Sequence, residues 1–255
     1  MKTFLFNILL SSAIAVPFIG MMSGCSDEDE NRFRPGSAQK PEPVTPEEGL
    51  DYTKLTAENH PRLLMNATDF TVLKDKISSN TSENLTLLHN TIIGLCNSKG
   101  MSSSALTYKL DASNKRILDV SREALLRIFT CAYAYRTTGD SKYLTHAEAD
   151  INAVCNFSDW NSKRHFLDVG EMATAVALGY DWLYNDLSET TRKKAADALL
   201  NFAFKPAQNK VWNLNFYTAT NNWNQVCNGG LVCGALATYE THPEEAKAMI
   251  EKALE

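Results

Sequence analysis

Three groups of residues in this sequence are of types that can do chemistry. The first is Asn221-Asn222-Trp223-Asn224, in the amide-rich and aromatic stretch 212–236 that runs through Gly229-Gly230 into an apolar segment. Side-chain amides donate and accept hydrogen bonds without a charge to desolvate, and an aromatic ring can stack on a sugar. That pairing suits carbohydrate. It also makes a well-capped helix start packed in a core, because Asn competes for nearby backbone hydrogen bonds and favours caps over helix interiors. The second group is His165, Asp168 and Glu171. The two acids are three residues apart and share a helix face, and His165 is a candidate general acid or base. Acids so placed also serve simply to stabilise a helix start, and a lone histidine is commonly a surface or hydrogen-bonded one. Glycoside hydrolysis would need two carboxylates across a cleft, and Asp168 and Glu171 are too close in sequence to settle that. The third group, Tyr180 with Asp181, Trp182 and Tyr184, reads as core packing or as sugar contact.

The elements that must position these residues are helices. Phe70, Leu73 and Ile77 fall on one side of a capped helix that begins near Thr68, and a second helix covers about 83–96. The polar run 97–104 reads as a loop. Leu125, Ile128, Ala132 and Tyr135 recur at spacings of three and four up to Gly139-Asp140, and a further helix covers 142–157, so 138–141 is the turn of an antiparallel hairpin. Residues 167–184 are apolar almost all round, 188–204 are amphipathic and stopped by Pro206, 223–239 are again mostly apolar, and His242-Pro243 starts one more helix. No strand alternation persists, and there is no Gly-rich phosphate loop. Alternation of fully apolar with half-polar helices predicts an all-α fold of two helical layers, an α/α toroid built of antiparallel hairpins. A solenoid of helix pairs is the nearest rival.

The 255 residues carry a net charge of −5. Much of it sits in 25–50, where Asp27, Glu28, Asp29, Glu30, Glu42, Glu47 and Glu48 face only Arg32, Arg34 and Lys40. No basic stripe of the kind nucleic-acid binding requires is present. Residues 1–24 have the layout of a signal peptide, with Lys2 ahead of the apolar run from Phe4 to Met22. Met22-Ser23-Gly24-Cys25 resembles a bacterial lipoprotein processing site, which implies cleavage before Cys25 and lipid on its thiol. The acidic run after Cys25 resembles the surface-export signal of Bacteroidetes lipoproteins and implies the outer face of the outer membrane, with a periplasmic location as the alternative. Residues 25–50, with Pro35, Pro41, Pro43 and Pro46, read as a tether, leaving 51–255 as the folded part. Cys96, Cys131, Cys155, Cys227 and Cys233 form no CxxC pair and no metal-ligand spacing, so buried thiols are expected, although an exported protein could oxidise a pair. No metal or other cofactor is expected.

Four stretches together resemble the heparinase II/III class of polysaccharide lyases: Asn59-His60-Pro61-Arg62-Leu63-Leu64, His165-Phe166-Leu167-Asp168-Val169-Gly170-Glu171-Met172, Gly179-Tyr180-Asp181-Trp182-Leu183-Tyr184, and Asn221-Asn222-Trp223-Asn224 with Gly229-Gly230. The resemblance spans about Asn59 to the end. It implies an incomplete α/α toroid followed by antiparallel β-sheet domains, of which this chain would carry only the amino-terminal part of the toroid. It also implies β-elimination on uronic-acid-containing polysaccharide of the alginate or glycosaminoglycan class. In such a reaction a hydrogen-bond donor must neutralise the uronate so that C5 can lose its proton. The resemblance gives that role to Asn222, with Asn224 second; His165 and Glu171 are the acid–base candidates, and Trp223, Tyr180 and Asn221 the substrate contacts. Some related lyases follow the Asn with a catalytic His, where this chain has Trp223, and the family's catalytic Tyr would lie beyond Glu255. A carbohydrate-binding lipoprotein without turnover and an α/α-toroid glycoside hydrolase are the alternative functions.

Overall fold

The computed structural model describes residues 50–209 and 215–255; the targeting segment, Cys25, the tether up to Gly49 and Trp212 lie outside them. Among the described residues every regular element is helical, as the periodicity predicts. Residues Lys54–Leu254 make one unit. Its helices are α1 (Ala67–Ser78), α2 (Glu83–Leu95), α3 (Leu118–Thr138), α4 (Ser141–Cys155), α5 (Phe166–Leu183), α6 (Glu189–Ala198), α7 (Asn222–Ala237) and α8 (Pro243–Leu254).

Local chemistry sets most boundaries. Asn66 and Asp69 cap α1 reciprocally, Asp140 caps α4, Ser188 caps α6 and Asn221 caps α7. Gly139, at φ +75°, ends α3 in the left-handed conformation that lets the chain reverse into α4. Two boundaries differ from expectation, both through wide π turns. The polar run after Leu95 is not all loop, because Cys96–Gly100 continues α2 as a π turn. Nor does Pro206 stop α6: a π turn at Leu199–Phe204 carries the helix on through Lys205–Ala207. In a π turn the amide reaches five residues back, as Lys205 N–H does to the Leu200 carbonyl, and the wider turn accommodates the ring and missing donor of proline.

Three hairpins, α3/α4, α5/α6 and α7/α8, stack side by side in two layers. The first members run parallel. Near one end the Ile117 amide, just before α3, bonds Asp168 in the first turn of α5 (2.8 Å), and further along Ile128 packs on Gly179. Between α5 and α7 the backbones touch: a Cβ on Gly230 would lie 2.1 Å from the Gly170 carbonyl oxygen. Only glycine fits there, which explains the Gly229-Gly230 pair at its second position. The returning members form the other layer, joined where Asn152 Nδ2 donates to Thr191 Oγ1 (2.8 Å). Every residue of α5 except Glu171 is buried, as a helix covered on both sides and by its partner layer must be. Each buried Leu, Met or Val of that helix contributes about 1.5–3 kcal/mol of transfer free energy, the main stabilising term of the unit.

The segment before α1 is fastened across the far ends of α5 and α7. Asp181 accepts the amides of Arg62 (2.9 Å) and Leu63 (2.8 Å) and pairs with His60 Nδ1 (2.6 Å), while His60 Nε2 meets Glu240 Oε1 (2.9 Å). The Arg62 guanidinium pairs with Glu240 and donates to the carbonyls of Leu236 and Ala237, two of the orphan acceptors that end α7. Tyr184 stacks on the His60 ring at 3.9 Å, and Trp182 Nε1 donates to the Leu63 carbonyl. Thus Asp181, an acid in an otherwise apolar helix, is a hub for the strap His60-Pro61-Arg62-Leu63.

Candidate active site

The opposite end, where α3, α5 and α7 begin, gathers the chemically capable residues. His165 is the residue before α5, with an extended backbone that turns its ring back over the first turn. Its Nδ1 lies 2.5 Å from Asp168 Oδ1. Asp168 has no exposed side-chain surface, and its other oxygen accepts from the Ile117 amide (2.8 Å) and from Asn161 Nδ2 (2.7 Å). A carboxylate can only accept, so the proton between ring and acid sits on Nδ1. In the neutral ring this tautomer leaves the lone pair on Nε2, where a proton can be taken up. Nε2 hydrogen-bonds to no described residue. Asn161 is held for its task at φ +61°, a left-handed position that Asn tolerates, and its amide also donates to the Lys115 carbonyl.

Trp223 stands edge to face with His165, ring centroids 4.8 Å apart, and so joins the start of α7 to the start of α5. Glu171, one turn into α5, pairs with Arg122 of α3 at 3.1 Å. Burial pushes the Glu171 carboxyl above its ordinary range; Arg122 and His165 pull it back, and the Asp168 charge adds to the rise. The guanidinium is about half exposed, at 52%, so one cation faces outward beside a partly protonatable acid and an oriented imidazole. Asn222, the first residue of α7, is exposed and its side chain bonds to no described residue. On a neighbouring loop Tyr108 Oη donates to Asp159 Oδ1 (3.1 Å); burial, then that carboxylate, pushes its hydroxyl up to about 12.

The sequence-based candidates therefore divide. His165, Glu171, Asn222 and Trp223 share this end. Asn221 and Asn224 are here too, but their amides are engaged in structure. Asn221 Oδ1 accepts the Trp223 amide as the cap, and Asn224 Nδ2 donates to the carbonyls of Phe216 (3.2 Å) and Tyr217 (2.9 Å), tying the preceding turn to α7. Tyr180 is elsewhere: it is buried against His60, Tyr184 and Glu240, roughly 22 Å along α5 from His165 at 1.5 Å per residue. Two residues of the site, Arg122 and Asn161, went unread in the sequence. Arg122 is one of several exposed cations on amphipathic helices, with no local signal. Asn161, after Asp159-Trp160, carried the signal of a turn residue but not of its partner. Among the described residues no group of three or more His, Cys, Asp or Glu is placed to hold a metal ion. No protein-family model matches the chain, and no curated protein sequence matches it.

Proposed function

We propose that the helical hairpins are part of an incomplete α/α toroid and that the beginnings of α3, α5 and α7 line its cleft, where a uronic-acid-containing polysaccharide is bound and cleaved by β-elimination. The observation that carries this reading is the His165–Asp168 pair, with Nε2 bonded to no described residue, the Trp223 ring against His165 and the Arg122–Glu171 pair one turn further along α5. A sugar ring can lie on Trp223, and its carboxylate can be neutralised by the Arg122 guanidinium and the Asn222 amide. Neutralised in this way, the uronate lets C5 give its proton to His165 Nε2. The C5–H electrons form the C4–C5 double bond as the C4–O bond breaks. The departing oxygen takes a proton from Glu171, whose burial favours the protonated form.

The hydrolase alternative is disfavoured by the same geometry. Asp168 is buried and already accepts from three groups, so it cannot face Glu171 across a sugar. Incubation with alginate, heparan sulfate and chondroitin separates the remaining possibilities. A rise in near-ultraviolet absorbance from the unsaturated uronate, lost in His165→Gln, is expected. Binding of any of these polymers without that rise would leave a carbohydrate-binding protein, and reducing ends released without it would restore the hydrolase. We further propose export and lipid attachment at Cys25, which places the unit on the outer membrane and probes as fatty-acid labelling lost in Cys25→Ser.

A further inference from the structure

We propose that Cys96 and Cys131 are a disulfide-forming pair that staples the α1–α2 hairpin to the core, an inference independent of the carbohydrate reading. The two sulfurs lie 3.6 Å apart, and neither residue has exposed surface. No other two of the described cysteines are in sulfur contact, and Cys155, Cys227 and Cys233 are each buried in separate surroundings. The approach is built by the π turn. Gly100, at its end, sits so close to α3 that a Cβ there would meet Thr130 Oγ1 at 2.4 Å and the sulfurs of Cys96 and Cys131 at 3.4 and 3.6 Å. The wide turn thus brings the Cys96 sulfur onto α3, with the Met101 thioether 3.8 Å from Cys131.

The staple falls where noncovalent hold is weakest. Helix α2 has no fully buried residue, and Leu87 and Leu88 are 67% and 57% exposed. In contrast α3 is anchored along its length, with Ala124, Ile128, Cys131 and Ala132 wholly buried. A bond between Cys96 at the end of α2 and Cys131 in the middle of α3 ties the loosest hairpin to one of the firmest helices.

The oxidant is a disulfide, of a small thiol or of a thiol-oxidising protein. The thiolate of Cys96 attacks it, forms a mixed disulfide and releases one reduced thiol. The thiolate of Cys131 then attacks the Cys96 sulfur, forming the Cys96–Cys131 bond and releasing the second thiol. Two electrons leave the protein, and the two protons end on the released thiols. Because both sulfurs are enclosed, the exchange takes place before α2 seats on α3 or when it lifts.

The test uses the full chain, unfolded and reduced, then refolded with reduced and oxidised glutathione. Remaining thiols are alkylated in denaturant and the peptides mapped by mass. The expected result is one cross-linked species joining the Cys96 and Cys131 peptides, abolished by reduction and absent from Cys96→Ser and Cys131→Ser, with Cys155, Cys227 and Cys233 alkylated. Limited proteolysis within 67–100 should then be slower by about 10-fold or more in the oxidised than in the reduced wild type, the scale set by closing a loop of this size. Helical refolded protein with Cys96 and Cys131 both alkylated, or linked to other cysteines, would overturn the pairing. Equal proteolysis of the two forms would overturn the stapling role.

Discussion

Asp168→Asn is the most informative single change, because it alters one atom of a fully enclosed hub. The carboxylate takes three donors: Ile117 N–H and Asn161 Nδ2 on one oxygen, His165 Nδ1 on the other. An amide has one acceptor oxygen and one donor nitrogen, so it can face these partners in two ways. With its nitrogen toward Ile117 and Asn161, two buried donors are left opposed. With its nitrogen toward His165, one partner is opposed, and that partner can adapt by moving its proton from Nδ1 to Nε2. The second arrangement wins. All three hydrogen bonds lose their charge assistance while the desolvation penalty of a buried charge is relieved, a net cost of about 1.5–3 kcal/mol. For a unit of this size that lowers the midpoint of thermal unfolding by roughly 3–10 °C. The proton now on Nε2 removes the base. Turnover should fall by roughly a thousand-fold or more, the scale on which a catalytic imidazole held in the wrong tautomer loses rate. Circular dichroism on heating and the near-ultraviolet elimination assay read the two effects separately. An unchanged melting temperature would refute the hub. A lowered one with undiminished turnover would refute the role of His165.

Other expectations follow from the same contacts. Arg122→Ala should weaken binding of an acidic polysaccharide by about 10-fold, by removing a half-exposed cation worth roughly 1–2 kcal/mol to a carboxylate, while leaving neutral-glycan binding unmoved; titration calorimetry with both polymers checks it. Gly230→Ala should destabilise by about 2–3 kcal/mol, because the new methyl meets the Gly170 backbone, which cannot swing aside as a side chain would; denaturant unfolding measures it. For His60, burial opposes the charge, but the hydrogen bonds to Asp181 and Glu240 outweigh it and leave the folded-state value raised above 6.5. Its contribution is therefore present in full below pH 6.5 and is lost as pH rises through the raised value. Wild-type stability should fall over that window more than that of His60→Gln, in which no imidazole titrates; equal slopes in urea unfolding at several pH values would contradict the assignment.

The helices were legible because their cause is local: a 3.6-residue apolar period and Ser, Asp or Asn caps are written in consecutive residues. The fully apolar 167–184 announced a helix covered on all sides, and α5 is one. What the period did not carry is how a helix ends when its backbone changes pitch. The apolar period does not mark the π turns at Cys96 and Leu199, so the run after Leu95 is helical as far as Gly100 and the helix expected to end before Pro206 ends just after it, at Ala207. At the site, His165, Glu171 and Trp223 stood out as polar or aromatic residues bordering apolar runs. Arg122 and Asn161 enter only through contacts 49 and 7 residues away in sequence, which no local pattern marks. Tyr180 shows the converse: type and neighbourhood suggested a sugar contact, but its position along α5 sends it to the strap at the other end.

The parallel run of α3, α5 and α7 has an electrostatic consequence. Peptide dipoles add along each helix to roughly half a positive charge at its beginning, so three such ends emerge on one face while the returning helices bring their negative ends to the flank. Asp119 and Asp168 offset two of them, but α7 has no acid in its first turn. Of the three helix beginnings, that of α7 at Asn222 and Trp223 is therefore the one whose dipole no acid of its own first turn offsets. An anion that reaches this point meets the unoffset backbone N–H groups of the first turn, an attraction that acts within about one turn and that salt weakens.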